Sequence, residues 1–372
     1  MPSNTAAWLG AKQATLDVRS APYTQPRENE IVVKNHAVAV NPVDWVKQVL
    51  GDVMFSWIKY PFILGSDLAG EVVEVGTAVT RFAVGDRVLA HAVGMDKKRN
   101  NAAEGAFQTC TVVLAHMAAP IPHTMSYEAA AVLPLALSTA ACGLFQTDQL
   151  ALQYPSATPK PTGQTVLVWG GSTSVGSNAI QLAVAAGYEV ITTSSPRNFD
   201  YVTKLGASQV FDYNSVTGVV DVIEAFKGKT SAGALAIGKG SAEACADVVH
   251  ACHGNKFVSM ASPSVSFDTL PPHRGTSMQL PLLLLRLVSS NVSLQAKTRT
   301  RRIRTKFIFG SSLMDNEVSK AIYVDYLPQA LADGHYVPAP EPYVAGTGLE
   351  HVQTGLDIQK KGVSAQKVVV AL

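Results

Sequence analysis

The stretch Thr165-Val166-Leu167-Val168-Trp169-Gly170-Gly171-Ser172-Thr173-Ser174-Val175-Gly176 decides the fold. Its apolar run, Val166 to Trp169, predicts a buried strand. Gly170 to Ser174 predicts a tight turn, and Val175 onward, through Ala183, a helix. Glycine lets the backbone turn sharply. The helix N-terminus then offers unpaired N–H groups and a positive dipole end to a pyrophosphate. This is the outline of a dinucleotide-binding βα unit. The spacing runs from Gly170 to Gly176 with Thr173 midway, so it departs from G-x-G-x-x-G, and a glycine-rich βα turn without a ligand has the same outline.

The next strand, Glu189 to Thr193, decides which nucleotide fits. An NAD site usually ends this strand with Asp or Glu, about 20 residues after the glycines, to hold the ribose 2′-OH. Here the chain reads Thr192-Thr193-Ser194-Ser195-Pro196-Arg197-Asn198 and has no carboxylate. Hydroxyls and an Arg fork suit a 2′-phosphate instead. Ser195 before Pro196 also reads as an ordinary N-cap, and the two readings are compatible. NADP is therefore expected over NAD.

With 372 residues, 47% hydrophobic and 16% charged, the chain is expected to be globular and to have two domains. A net charge of +2 implies no general polyanion partner. Cys110, Cys142, Cys245 and Cys252 are scattered and form no C-x-x-C pair. This argues against a structural zinc and a disulfide framework, and it fits a reducing, cytoplasmic setting. No signal peptide is evident at the N-terminus, and the apolar run Leu280 to Leu285 is cut by Arg286, too short for a membrane span.

Residues 1–134 read as β-rich, with glycine-bounded strands around Glu30–Val40, Gly70–Gly76 and Gly85–Ala90. A helical pattern begins at Ser126 and is broken or kinked by Pro134. Residues 154–165 read as a loop. From Thr165, strands alternate with helices, at 165–169, 189–193, 209–212, 234–237 and 256–260, with a last candidate at 305–309. This alternation predicts a parallel sheet with helices on both faces. The tail Lys367 to Leu372 predicts a strand that returns to the first domain.

Taken together, Asn41-Pro42-Val43-Asp44, Gly65-Ser66-Asp67-Leu68-Ala69-Gly70, Gly85-Asp86-Arg87-Val88, Gly105-Ala106-Phe107, Ser138-Thr139-Ala140, the glycine turn and Leu205-Gly206-Ala207 resemble the medium-chain dehydrogenase/reductase superfamily over nearly the full length. The resemblance implies an α/β fold: a Rossmann doubly wound parallel sheet at 135–321, plus a β-rich chaperonin-10-like catalytic domain at 1–134 and 322–372. The zinc-binding members place Cys after the first strand, His in a G-H-E motif and four cysteines in a lobe. Here those places hold Asn41 to Asp44, Gly65-Ser66-Asp67 and Met95 to Asn101, so no metal is expected. Asp44, Asp67 and Glu71 could form an oxygen-rich group, and equally could line a cleft or pair with basic neighbours.

Among zinc-free members the chain is similar to quinone oxidoreductases and fungal trans-acting enoyl reductases. The resemblance implies that Gly170, Gly171, Ser172, Thr173, Ser174 and Val175 cradle phosphates. It implies that Ser194, Ser195, Arg197, Asn198 and Tyr213 surround a 2′-phosphate. It also implies that Val43, Asp44, Trp45, Thr139, Met260, Ala261 and Ser262 lie beside a nicotinamide. The implied activity is NADPH-dependent reduction of an activated carbon–carbon double bond, in an enone or enoyl thioester, or of a quinone. No residue stands out as proton donor. Asp44, Lys47, Tyr60 and Thr139 are candidates, each with a structural or cofactor-positioning reading beside the catalytic one.

The basic stretch Lys297 to Lys306 reads as a solvated edge beside a helical insertion, or as a docking site for an acidic acyl carrier domain or a membrane surface. Without interleaved aromatics it does not suit nucleic acid. A non-catalytic NADPH-binding or sensing role, and reduction of aldehydes or ketones, stand as alternative functions.

Overall fold

The computed structural model describes residues 3–267 and 279–372. They divide into two compact units, one running up to Leu135 and resuming at Met314, the other running from Ala136 to Leu313.

The first unit is mostly antiparallel. Its larger sheet has the order Glu341–Thr347, Gln366–Ala371, Glu30–Ala39, Asp67–Val75, Arg87–His91 and Ala118–Pro120, with Cys110–Leu114 also pairing on Glu30–Ala39. Leu16–Ala21, Asn4–Leu9 and Phe62–Ile63 form a smaller sheet. Glu30–Ala39 is the hub of the larger sheet. Ten residues long and rich in Val and Ala, it pairs antiparallel with three other strands. The tail expected as a strand is Gln366–Ala371, and Val369 to Ala371 pair with Ala39 to Ala37. Residues 314–319 lead into a wide π-type turn of helix, Lys320–Tyr326, whose Tyr323 hydroxyl donates to Pro134 O (2.9 Å) and whose Tyr323 carbonyl accepts from Arg81 (3.1 Å).

The second unit is a doubly wound parallel sheet. Its order is Gln209–Asp212, Glu189–Ser194, Gln164–Trp169, Thr230–Ala236, Phe257–Met260 and Arg304–Phe307. Strand order reverses at Gln164–Trp169, the first strand in sequence, and ligands of such sheets bind at the carboxyl ends of strands beside such a reversal. The core is made by strand residues Leu167, Ile191, Ala234 and Val258 against helix residues Val222, Phe226, Cys245 and Val249. Removing one such side chain, as in Leu167→Ala, costs about 2–5 kcal/mol.

Two pattern readings change in detail. Pro134 does not kink a continuous helix. It separates Tyr127–Ala131 from Pro134–Phe145 and stands at the first position of the latter, where a missing N–H costs nothing. By length and composition Tyr127–Phe145 could cross a membrane, but 78% of that window is buried in the protein, as in a core helix. The basic stretch is also not one edge. It is the end of helix Gln279–Thr300, a turn, and the edge strand Arg304–Phe307. Lys297 and Arg301 pair with Asp247, and Lys306 with Asp148.

Candidate functional site

The glycine turn brings strand and helix closer together than any side chain would allow. Gly170 has φ +90°, and a Cβ there would lie 2.8 Å from Ile237 O. A Cβ on Gly171 would meet the Thr192 hydroxyl at 2.2 Å, and one on Gly176 would meet Gly170 O at 2.2 Å. Thr173 is the N-cap of helix Ser174–Ala185. Its hydroxyl accepts from Gly176 N (3.0 Å) and donates to Gly170 O (2.8 Å). The Thr173 side chain therefore holds the turn itself. Ser174 and Val175 fill the first two helical positions, whose N–H groups have no acceptor within a helix. Two amides at a positive dipole end, over a turn with no side chains, fit a pyrophosphate.

The second strand is tied to the turn. Thr193 accepts Gly170 N on its hydroxyl (3.0 Å) and Gly171 N on its carbonyl (2.8 Å). At the strand's end Ser194 is fully buried, yet its hydroxyl has no hydrogen-bond partner. Ser195 is half-buried and accepts from Asn198 Nδ2 (3.2 Å). Ser195 precedes a 3-10 turn, Pro196–Asn198, and makes no side-chain cap. Arg197 is exposed and has no ion-pair partner among the described residues. In the adjacent strand Asp212 lies opposite Ser194, and Tyr213 follows it, exposed. Asp212 is a carboxylate that the sequence pattern did not flag here. One of its oxygens accepts Asn214 N (2.9 Å), so it closes a turn. An orphan buried hydroxyl, an available Arg and an exposed phenol fit an anionic group at this end. After the fifth strand, the half-buried loop Met260 to Ser262 is pinned where Ser262 Oγ accepts Gly238 N (3.0 Å). Thr139 lies half-buried on helix Pro134–Phe145.

In the first unit, Asn41 precedes helix Pro42–Leu50, and its amide donates to Asp44 Oδ2 (2.8 Å). Asp44 is fully buried and its Oδ1 meets no hydrogen-bond partner. Burial pushes its pKa up to about 7, reinforced by the Asp67 charge and opposed by the Asn41 amide and Lys367. Asp67, also fully buried, accepts Asn41 Nδ2 (2.8 Å) and Lys367 Nζ (2.8 Å) on Oδ2, and Leu135 N (2.6 Å) on Oδ1. Lys367 donates as well to Asn41 Oδ1. His91 lies opposite Asp67 on the next strand, and burial holds it neutral, its pKa lowered to about 4. Val43 is half-buried, while Trp45 is buried and donates to Gln359.

Lys47 is wholly buried. Its ammonium donates to Gly51 O and Phe55 O (both 3.2 Å), lies 3.8 Å from Asp52, and stands 4.8 Å from the Tyr60 ring centre. That ammonium is largely committed. The Tyr60 hydroxyl is buried near the Asp52 carboxylate, and burial, the Asp52 charge and hydrogen bonding to Asp52 push its pKa up to about 12.

Lys367 was not legible as a site residue, because it stands inside what reads as a plain strand. A signal was present: Asp67 and Lys367 are lone opposite charges, each beside an apolar run. Asp67 is spent on Lys367, Asn41 and Leu135, which is the pairing reading of the acidic group rather than the oxygen-rich one. Among the described residues, no group of three His, Cys, Asp or Glu side chains is placed to hold a metal.

Residues 27–123 match the family described as alcohol dehydrogenase GroES-like domain, and residues 174–267 the family described as zinc-binding dehydrogenase. "Dehydrogenase pigH" of Monascus ruber is 56% identical over 100% of both chains. "Trans-enoyl reductase himH" of Aspergillus japonicus is 37% identical over 99% of this chain and 97% of that one. Among solved structures, the quinone oxidoreductase from Coxiella burnetii superposes with a TM-score of 0.67 at 20% identity, covering 100% of both chains, which shows a shared fold.

Proposed function

The chain belongs to the medium-chain dehydrogenase/reductase superfamily, in the group that holds enoyl reductases and quinone oxidoreductases, and we propose that it is an NADPH-dependent reductase of a carbon–carbon double bond conjugated to a carbonyl, or of a quinone. The observation that carries the cofactor half of this reading is the end of strand Glu189–Ser194: a buried hydroxyl without a partner, followed by Arg197 where NAD sites place a carboxylate. Bound there, NADPH would supply the hydride. The amides of Ser174 and Val175 would hold its pyrophosphate, and Ser194, Ser195, Arg197 and Tyr213 its 2′-phosphate. Thr139 and the Met260–Ser262 loop would bound the nicotinamide.

We assign no metal to the reaction. The positions that carry zinc ligands in zinc dehydrogenases are filled by Asn41 to Asp44 and by Ser66-Asp67, and Asp67 is spent on Lys367, Asn41 and Leu135. A hydride delivered to the β carbon of an enone leaves charge spread onto the carbonyl oxygen. Hydrogen-bond donors can meet that charge without a Lewis acid. The α carbon then takes a proton. We name Tyr60 as its candidate source, because burial and the neighbouring Asp52 carboxylate keep its hydroxyl protonated throughout the working pH range. The likeness to a protein named trans-enoyl reductase supports the enoyl form over the quinone form. The test is NADPH oxidation against a panel of enones, enoyl thioesters, quinones, aldehydes and ketones. Turnover of the first three classes supports the reading. Turnover of simple ketones alone, or tight NADPH binding with no turnover at all, refutes it and in the second case favours a binding or sensing role.

A further inference from the structure

We propose that the exposed face of helix Gln279–Thr300, with the basic turn that follows it, is a docking surface for an acidic amphipathic helix of a partner protein. The inference lies wholly within the second unit and does not depend on the reaction proposed above.

The helix carries apolar side chains on two opposite sides. Leu283, Leu294 and Thr298 are buried, and Leu294 joins the core that includes Cys245 and Val249 of helix Ser241–Ala251. That side is fixed further where Lys297 and Arg301 pair with Asp247, and where Ser290 donates to Glu243 Oε1 (3.3 Å). At about 3.6 residues per turn, Leu285, Val288 and Val292 fall on the opposite side. They are 65%, 59% and 63% exposed, and Leu282, a turn earlier, is 49% exposed. A helix with water on that side normally places polar residues there. The steps of three and four residues, from Leu285 to Val288 to Val292, make the seam onto which a second helix packs. Arg299 stands one heptad beyond Val292, on the same line.

Charge selects the kind of helix that fits. From Gln279 to Leu313 the sequence holds seven Lys or Arg residues and no Asp or Glu, while the whole chain carries only +2. Lys297 and Arg301 are taken by Asp247 and Lys306 by Asp148, and Arg304 lies over the Phe257 ring (5.1 Å). Arg286, Arg299 and Arg302 are exposed and have no ion-pair partner among the described residues. Arginines flanking an apolar seam fit carboxylates on a facing helix, each held by a two-pronged guanidinium. Two other occupants fit less well. A second copy of this chain would bring the same excess of positive charge and no carboxylate to meet it. A lipid surface takes a broad apolar face with Trp or Phe. This seam is a single file bordered by exposed Ser289, Asn291, Ser293 and Gln295, in a helix without aromatic residues.

The probe is a fluorescently labelled synthetic peptide of about three heptads, with Leu at the seam positions and Glu beside them. Anisotropy titrations compare wild type, Leu285→Ser/Val292→Ser and Arg299→Glu/Arg302→Glu at low and high salt. All four side chains are exposed, so melting temperature and NADPH affinity should match wild type. Wild type should bind the Glu peptide and release it as salt rises. Each double variant should bind it roughly tenfold or more weakly. The Arg299→Glu/Arg302→Glu variant should bind instead a peptide with Lys in place of Glu. Equal binding by wild type and Leu285→Ser/Val292→Ser, or no binding by wild type at low salt, overturns the proposal. A wild-type dimer in sedimentation that the same substitutions dissociate also overturns it, and gives the face to a second copy. So does partition of wild type onto phosphatidylserine–phosphatidylcholine vesicles without binding of the peptide, which gives the face to a lipid surface.

Discussion

Gly176→Ala sets two effects of opposite sign against each other at the centre of the glycine turn. Gly176 is the third residue of helix Ser174–Ala185, so alanine there gains up to about 1 kcal/mol of helix propensity. The new methyl would lie 2.2 Å from Gly170 O, 2.7 Å from Gly171 Cα and 2.9 Å from Gly170 C. All three are backbone atoms of the turn, and ordinary contact begins at 3.4 Å, so helix and turn must separate by about 1 Å. Overpacking of this kind costs roughly 1–3 kcal/mol, which matches or exceeds the propensity gain. The separation also moves the Ser174 and Val175 amides away from the cradle and loosens the Thr173 cap. If the same 1–3 kcal/mol falls on cofactor binding, NADPH affinity drops roughly 5- to 150-fold. Thermal melting and a fluorescence titration with NADPH read the two consequences on one sample. A Gly176→Ala protein that melts higher than wild type and binds NADPH equally well would refute the close-packed turn and the cradle built on it.

Other outcomes follow from the same geometry. Arg197→Ala should weaken NADPH by about 1.5–3 kcal/mol, nearer the lower figure because the side chain is exposed, and leave NADH unchanged, as read by parallel titrations. Tyr60→Phe should lower kcat with little effect on cofactor affinity, and wild-type kcat should show no loss between pH 6 and 9 from titration of this donor, whose pKa is about 12; a rate that falls through neutral pH in wild type and not in the variant contradicts the assignment. Asp44 holds its proton up to about pH 7 in the folded chain and loses it near 3.8 when unfolded, so the native state binds the extra proton between those values and is destabilised relative to the unfolded state as pH rises through that window. Asp44→Asn should therefore gain melting temperature relative to wild type progressively from pH 4 to 7, and a constant difference across that range counts against the raised pKa. Elemental analysis should find no stoichiometric zinc, and chelator treatment should leave activity unchanged; about one zinc per chain, lost together with activity, contradicts the metal-free reaction.

The Rossmann half was legible because its signals are local. A strand, a glycine turn and a capped helix lie within twenty-odd residues, and each was readable from the apolar run of Val166 to Trp169 and the glycines at 170, 171 and 176. The same holds for the alternation of strands and helices that followed, and for the absence of a carboxylate after Thr193. Two things were local in appearance but decided elsewhere. Thr173 looked like a phosphate ligand, yet its hydroxyl is the helix cap. Asp212 looked like the end of a strand, yet register sets it opposite Ser194. The first-unit cluster was the least legible. Asp67 and Lys367 are 300 residues apart, and their meeting depends on which strands flank Glu30–Ala39, which no periodicity encodes. The long helix Gln279–Thr300 was read only as an insertion, since its leucine run carries no clean amphipathic period; its buried positions include Leu283, Leu294 and Thr298, while Leu285, Val288 and Val292 are exposed.

The most direct test of the central claim follows one atom. Turnover of an enone or enoyl thioester with NADPH carrying deuterium at the transferable position of the nicotinamide should give a saturated product with the label on the β carbon and a solvent proton on the α carbon. Deuterium on a carbinol carbon would make the protein a ketone or aldehyde reductase and would contradict metal-free reduction of a conjugated double bond.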